Sequence, residues 1–161
     1  MRMVPTPRSD GPHNDVGLAL PALHVLGLSL RSALLAGAML RLVTLTVLVV
    51  DDDAAFRGVA RRMLSAVGLV VVGEAGTAKG AAEQAEQLRP DTLLIDVGLP
   101  DGDGVALAIQ LVGLPWHPRV LLTSTDPEAV APADLTASGA LGFLAKQDLP
   151  DAPLALLFTP S

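Results

Sequence analysis

Asp51, Asp52 and Asp53 run together after the apolar stretch TLTVLVV, Asp96 closes TLLID, Ser124 and Thr125 end the run that begins RVLLT, and Lys146 closes LGFLAK. Carboxylates brought close together repel one another, and such a group is stable in ionised form only when a cation sits among them. Hard oxygen ligands with open positions favour Mg²⁺, which keeps several waters and takes phosphate oxygens readily. A carboxylate beside Mg²⁺ and a lysine is equipped to attack phosphorus and become an aspartyl phosphate. Metal and ammonium would together neutralise charge on the equatorial oxygens during in-line transfer. Lys146 is one of only two lysines, against nine arginines. A flexible point charge suits this task where a fixed guanidinium fork does not.

These residues share one kind of position. From Thr44 onward the chain alternates short β-branched apolar runs with segments of helical periodicity. TLTVLVV is too short for a full helix and reads as a buried strand. In AAFRGVARRMLSAVG, Phe56, Ala60, Met63, Leu64 and Val67 recur at helical spacing and Gly68 offers a stop. The alternation continues through strand LVVVGEA, helix TAKGAAEQAEQLR, strand TLLID, helix DGVALAIQLVG and strand RVLLTS. A weaker helix follows Pro127, then strand LGFLAK and a short final helix within PLALLF. Five βα units with uniformly apolar strands predict an α/β fold, a doubly wound five-stranded parallel sheet with helices on both faces. In such a sheet the functional groups belong in the crevice outside the carboxyl ends of the strands, which is where the acids, the hydroxyl and the ammonium fall.

Composition sets the limits. At 161 residues, 50% hydrophobic, 17% charged and a net charge of -6, the chain has the material for one ordinary globular domain and is no disordered polymer. The absence of cysteine excludes disulfides, thiolate metal sites and a thiol nucleophile, and suits a cytoplasmic setting. The acidic balance argues against direct nucleic-acid binding. Residues 1–44 differ in texture, with a net charge of +2 against -8 for the remainder. MRMVPTPRSDGPHND reads as an unstructured lead-in, and residues 16–43 are apolar. Arg31 and His24 in the middle of that run, with Pro21 and three glycines, speak against a membrane span. Residues 1–44 are therefore expected to form a leader, disordered or an apolar helical extension, or to precede a true start near Met39 or Val43.

In order and spacing, the acidic cluster after VLVV, Asp96 in LLIDVGLPDGDG, Ser124 in VLLTST and Lys146 in GFLAK resemble the receiver domain of bacterial two-component response regulators. The likeness covers essentially all of residues 45–158, within an expected receiver domain of residues 45–161, and implies the flavodoxin-like, CheY-like arrangement. It implies that Asp96 accepts a phosphoryl group from a histidine kinase or phosphotransfer protein. It further implies that Asp52 ligates Mg²⁺ directly, that Asp51 helps through water, and that the carbonyl of Gly98 completes the protein ligands alongside Asp96. Lys146 would pair with the phosphoryl group, the Ser124 hydroxyl would move in to bond it, and Phe143 would be the aromatic switch that follows. The face of the fourth helix, fifth strand and fifth helix would then be read by a downstream protein or a second copy of the chain. The resemblance implies a phosphoacceptor that promotes its own phosphorylation and dephosphorylation rather than an enzyme acting on other substrates.

Plainer roles compete at several positions. Asp53 suits a helix cap, Thr123 or Thr125 could replace Ser124, and Phe143 could be a core aromatic. The module could also be a degenerate receiver that only binds protein. A haloacid-dehalogenase-type phosphatase uses a similar set, with Asp51 as nucleophile and Asp53 as general acid, but lacks a counterpart for Asp96 and needs a closing acidic strand that is absent here. Three departures from the receiver pattern stand out. Gln147 follows Lys146 where proline is common, Gly98 offers no side chain to shield a phosphoryl group, and Pro132 interrupts the fourth helix pattern while Pro150 and Pro153 crowd the fifth. With little chain beyond Phe158, the expectation is a single-domain regulator that signals by protein contact, or the front of a longer product.

Overall fold

A computed structural model describes residues 44–159, so the expected leader lies outside the described residues except for Thr44. The sheet has five parallel strands: β1 (Thr46–Val50), β2 (Val70–Ala75), β3 (Thr92–Asp96), β4 (Arg119–Ser124) and β5 (Gly142–Ala145), in the order β2-β1-β3-β4-β5. The order reverses between β1 and β3, which places a crevice at their carboxyl ends.

Five helices cover the two faces: α1 (Ala54–Ala66), α2 (Ala78–Leu88), α3 (Gly104–Val112), α4 (Pro132–Ser138) and α5 (Leu154–Phe158). Alternation along the strands sorts the core. Val47, Val49, Leu94 and Leu121 pack with Ala60 and Leu64 of α1 and with Leu154 and Phe158 of α5. Leu48, Val50, Leu93, Ile95, Val120 and Leu122 point the other way, onto Ala81 and Ala85 of α2 and Leu107, Ala108 and Leu111 of α3. This period of two over a sheet buried on both sides is what the apolar runs required.

Local chemistry sets the helix ends. Asp53 caps α1, its Oδ1 accepting from Ala55 N at 2.8 Å. At the other end Gly68, with φ of +85°, takes the left-handed turn that lets Leu69 N donate back to Leu64 O at 3.0 Å. Thr77 and Asp103 cap α2 and α3 in the same manner as Asp53 caps α1.

Three expectations need correction. Pro132 does not interrupt α4 but opens it, occupying the first turn, where its missing N–H has no intrahelical partner to lose. β2 is not covered on both faces: it is an edge strand and Val70 remains 45% exposed. The short final helix forms within PLALLF as expected, at Leu154–Phe158, but Pro150 does not crowd it: a 3₁₀ turn that the sequence did not foretell, Lys146–Asp151, comes first. Pro150 lies inside that turn, which has no regular α-helical ladder for it to break.

Candidate functional site

The β1–β3 crevice collects the predicted carboxylates. Oxygen atoms of Asp51, Asp52 and Asp96 all lie within 4.8 Å of one another. Asp51 is fully buried, Asp96 is buried at the last position of β3, and Asp52 faces solvent. Lys146, directly after β5, reaches across the mouth of the crevice. Its Nζ stands 2.6 Å from Asp51 Oδ2 and 3.3 Å from Asp96 Oδ1. The same ammonium lies 4.4 Å from the centre of the Phe56 ring, which flanks it on the α1 side.

One ammonium does not balance three carboxylates. Burial pushes the Asp96 carboxyl above its ordinary range, and repulsion from Asp51 and Asp52 adds to this while Lys146 opposes it. Burial pulls Lys146 down, yet the Asp51 and Asp96 carboxylates, Asp51 first, together more than compensate and the net shift is upward. Asp51 Oδ1 accepts from Asp53 N at 2.9 Å. Asp51 Oδ2 is buried and, despite its charge contact with Lys146, lacks a well-aligned hydrogen bond. A buried carboxylate oxygen with unspent acceptor capacity, beside two further carboxylates, is the donor set a hard cation takes. The cluster fits a metal ion.

The loop after β3 completes the wall. A Cβ added to Gly98 would stand 3.7 Å from Asp96 Oδ2, in ordinary van der Waals contact, so a side chain at this position would begin directly beside the carboxylate. Gly104 answers a different need. An added Cβ would overlap the Asp96 carbonyl oxygen and sit 2.7 Å from Val97 Cα, so the loop closes against β3 only without a side chain. Asp101 ties the loop to α2, its carboxylate accepting from Ala78 N at 2.6 Å and Lys79 N at 3.0 Å. Those backbone donors, Lys79 first, hold the Asp101 carboxyl below its usual value.

The hydroxyl and aromatic candidates stand slightly apart. Asp96 is in register with Thr123, and Ser124 with Ala145, which puts Ser124 one step beyond Asp96 on the neighbouring strand. Ser124 Oγ accepts from Asp126 N at 3.1 Å. Thr123 is wholly buried and its Oγ1 has no hydrogen-bond partner. Phe143, half-buried on β5, packs against the α2–α3 core rather than joining the carboxylates. Asp53 is spent as a cap and does not turn toward the crevice as a general acid would. Sequence reasoning missed the Phe56 contact, the obligatory Gly104 and the reach of Asp101. The DGDG string held a signal for the last two, but ordinary turn chemistry produces the same string.

The response regulator receiver domain family matches residues 47–155, and the chain belongs to that family. It is 34% identical over 100 residues to the transcriptional regulatory protein PdtaR of Mycobacterium tuberculosis, covering 62% of this chain and 48% of that protein. It is 35% identical over 102 residues to a protein-glutamate methylesterase/protein-glutamine glutaminase of Alkalilimnicola ehrlichii, covering 62% of this chain and 26% of that one. The chain thus spans roughly a quarter to a half of the length of these relatives. Among solved structures it is similar to the chemotaxis protein CheY4 of Vibrio cholerae, with a TM-score of 0.62 and 25% identity over 71% of this chain and 96% of that one. Residues 47–155 are a receiver domain of two-component signalling, a kind of domain that works between histidine kinases and output partners. Family membership removes the dehalogenase-type alternative. Among the described residues no helix is long and apolar enough to cross a membrane.

Proposed function

We propose that Asp96 is the phosphoacceptor and that Asp51, Asp52 and the Gly98 carbonyl, together with Asp96, hold Mg²⁺. The observation that carries this reading is the meeting of three carboxylates within 4.8 Å under a lysine that contacts two of them. A carboxylate oxygen of Asp96 attacks phosphorus, an O–P bond forms, and the P–N bond to the kinase or phosphotransfer histidine breaks, leaving the imidazole with the electron pair. Bound Mg²⁺ supplies charge neutralisation for the phosphoryl oxygens. Lys146, held by Asp51 in the meantime, is placed to pair with the transferred group. Hydrolysis reverses the state: water attacks phosphorus, the O–P bond to Asp96 breaks, and inorganic phosphate leaves.

The Ser124 hydroxyl, one step along β4, then turns from Asp126 N toward the phosphoryl oxygens, and Phe143 repacks. The β5 face, which carries the half-buried Phe143 and Leu144 beside Ala152, Pro153 and Leu157, passes the change to a downstream protein or a second copy. The acetyl phosphate reaction tests the assignment. The wild type and Asp51→Asn are expected to take label, the latter slowly, and Asp96→Asn to take none. Label that survives loss of Asp96 sinks the assignment.

A further inference from the structure

We propose that Arg57 is a positioning residue for the metal: braced by Glu74, its guanidinium fixes the peptide that aims the Asp51–Asp52 pair. This inference rests on the reading that those acids hold Mg²⁺. Arg57 lies one turn into α1, and its side chain runs back toward the crevice instead of out to solvent. Nη1 donates to the Asp51 carbonyl oxygen at 2.6 Å, and Nε donates to Glu74 Oε2 at 3.3 Å. Glu74 is itself held. Arg61 Nε donates to its other carboxylate oxygen at 2.7 Å, and Gln84 Nε2 donates to its carbonyl at 2.7 Å. The Asp51 N–H donates to Ala75 O at 2.9 Å. Residue 51 is therefore pinned on its amide by β2 and on its carbonyl by Arg57.

The carbonyl that Arg57 holds belongs to the same rigid peptide plane as the amide of Asp52. Tilting that plane swings the Asp52 Cβ. Asp52 is exposed, so its aim depends on backbone direction more than on packing. A guanidinium beside a cation site is otherwise a liability, because Coulomb repulsion alone weakens metal binding. The Glu74 carboxylate offsets part of that charge, and what remains is a two-pronged fork whose prongs hold a carboxylate and a backbone carbonyl. A lysine cannot hold both with fixed geometry.

Sign separates orientation from charge. Removing a positive charge near the site should tighten Mg²⁺ binding if Arg57 acts only through its field. If it orients the acids, removing it should weaken binding, by about tenfold, the lower end of what outer partners of metal sites contribute. Titration calorimetry of the full chain with Mg²⁺ alone, in the absence of any phosphodonor, reads this directly. Arg57→Met, which keeps most of the apolar stem, is expected to weaken binding about tenfold, and Arg57→Lys to weaken it less. Arg62→Ala removes the same charge from an exposed position of α1 and is expected to leave affinity unchanged or slightly tighter. Glu74→Gln, measured in salt high enough to screen its lost charge, is expected to weaken binding and serves if the Arg57 variants do not fold. Wild-type or tighter affinity in Arg57→Met, or in Glu74→Gln where it stands in, overturns the inference while Asp52→Asn still shows a loss. No Mg²⁺ binding by the wild type, or none lost in Asp52→Asn, overturns the metal reading and this inference with it.

Discussion

At the scale of single residues, identical side chains do different work because of where the backbone leaves them. Asp51, Asp52 and Asp53 are consecutive, yet one is buried against Lys146, one faces solvent at the crevice, and one is spent on the first turn of α1. Asp53→Ala should therefore cost about 1 kcal/mol of stability in denaturant unfolding, as loss of a helix cap does, and leave phosphoryl labelling intact. Gly98 makes the opposite kind of contribution. With no side chain at position 98 beside Asp96 Oδ2, water should reach a phosphoryl group carried there, and the wild-type adduct should decay well within hours in native buffer with Mg²⁺. Gly98→Met should prolong it several-fold. Equal decay of the two, followed by loss of the phosphorylated species on a mobility gel, would show that shielding at this position does not set the lifetime. Asp51, Asp52, Asp96 and Lys146 were legible in the sequence because each follows an apolar run short enough to be only a strand. Arg57 and Glu74 were not, because an arginine in a helix and a glutamate near a strand end read as solvated charges until the chain is folded.

At the scale of elements, β1, β3 and β4 were legible nearly to the residue, since runs of Val, Leu and Ile covered on both faces allow few alternatives. The chain end was harder. Its pattern gave the short helix within PLALLF, where α5 forms, but not the 3₁₀ turn before it, which Pro150 and Pro153 keep from running on into α5 by removing two backbone donors within four residues. A helix so short is held by its contacts and not by its own ladder. Phe158 is fully buried among Val47, Leu64 and Leu121, and its carbonyl accepts from Arg119 Nη1 at 2.9 Å. Phe158→Ala should destabilise the fold by about 3–5 kcal/mol, read by denaturant unfolding. A loss below about 1 kcal/mol would mean that α5 is not docked as described. Pro132 teaches the complementary lesson: the same residue that forbids a helix interior favours its first turn, and only the hydrogen-bond pattern tells which applies.

At the scale of the whole molecule, the fold stores a cost at the crevice and offsets it elsewhere. Ionised Asp96 is disfavoured by folding, since burial raises its pKa, and this cost is relieved as pH falls through its raised folded-state value. Asp101 and Glu74 work in the other sense. Their carboxyls are held below the ordinary range by the Lys79 and Ala78 amides and by the Arg61 and Arg57 guanidinium groups, respectively. A depressed folded-state value stabilises above the unfolded pKa, and the contribution is lost as pH falls through the depressed value. Asp101→Ala should thus be less stable than the wild type at neutral pH, and the gap should narrow as both are taken below the usual carboxylate range. A gap that stays constant with pH would assign the effect to loop packing instead of the charged cap.

The central claim is that a phosphoryl group enters this chain at Asp96 with the help of a cation held by its neighbours. Intact-mass measurement of the purified protein after reaction with acetyl phosphate, with and without Mg²⁺, followed by peptide mapping, tests it most directly. The account predicts a single phosphoryl adduct that forms with Mg²⁺, is lost when the metal is chelated before the reaction, and maps to the peptide containing Asp96. An adduct on Asp51, on a serine or on a threonine, or one indifferent to Mg²⁺, would contradict it.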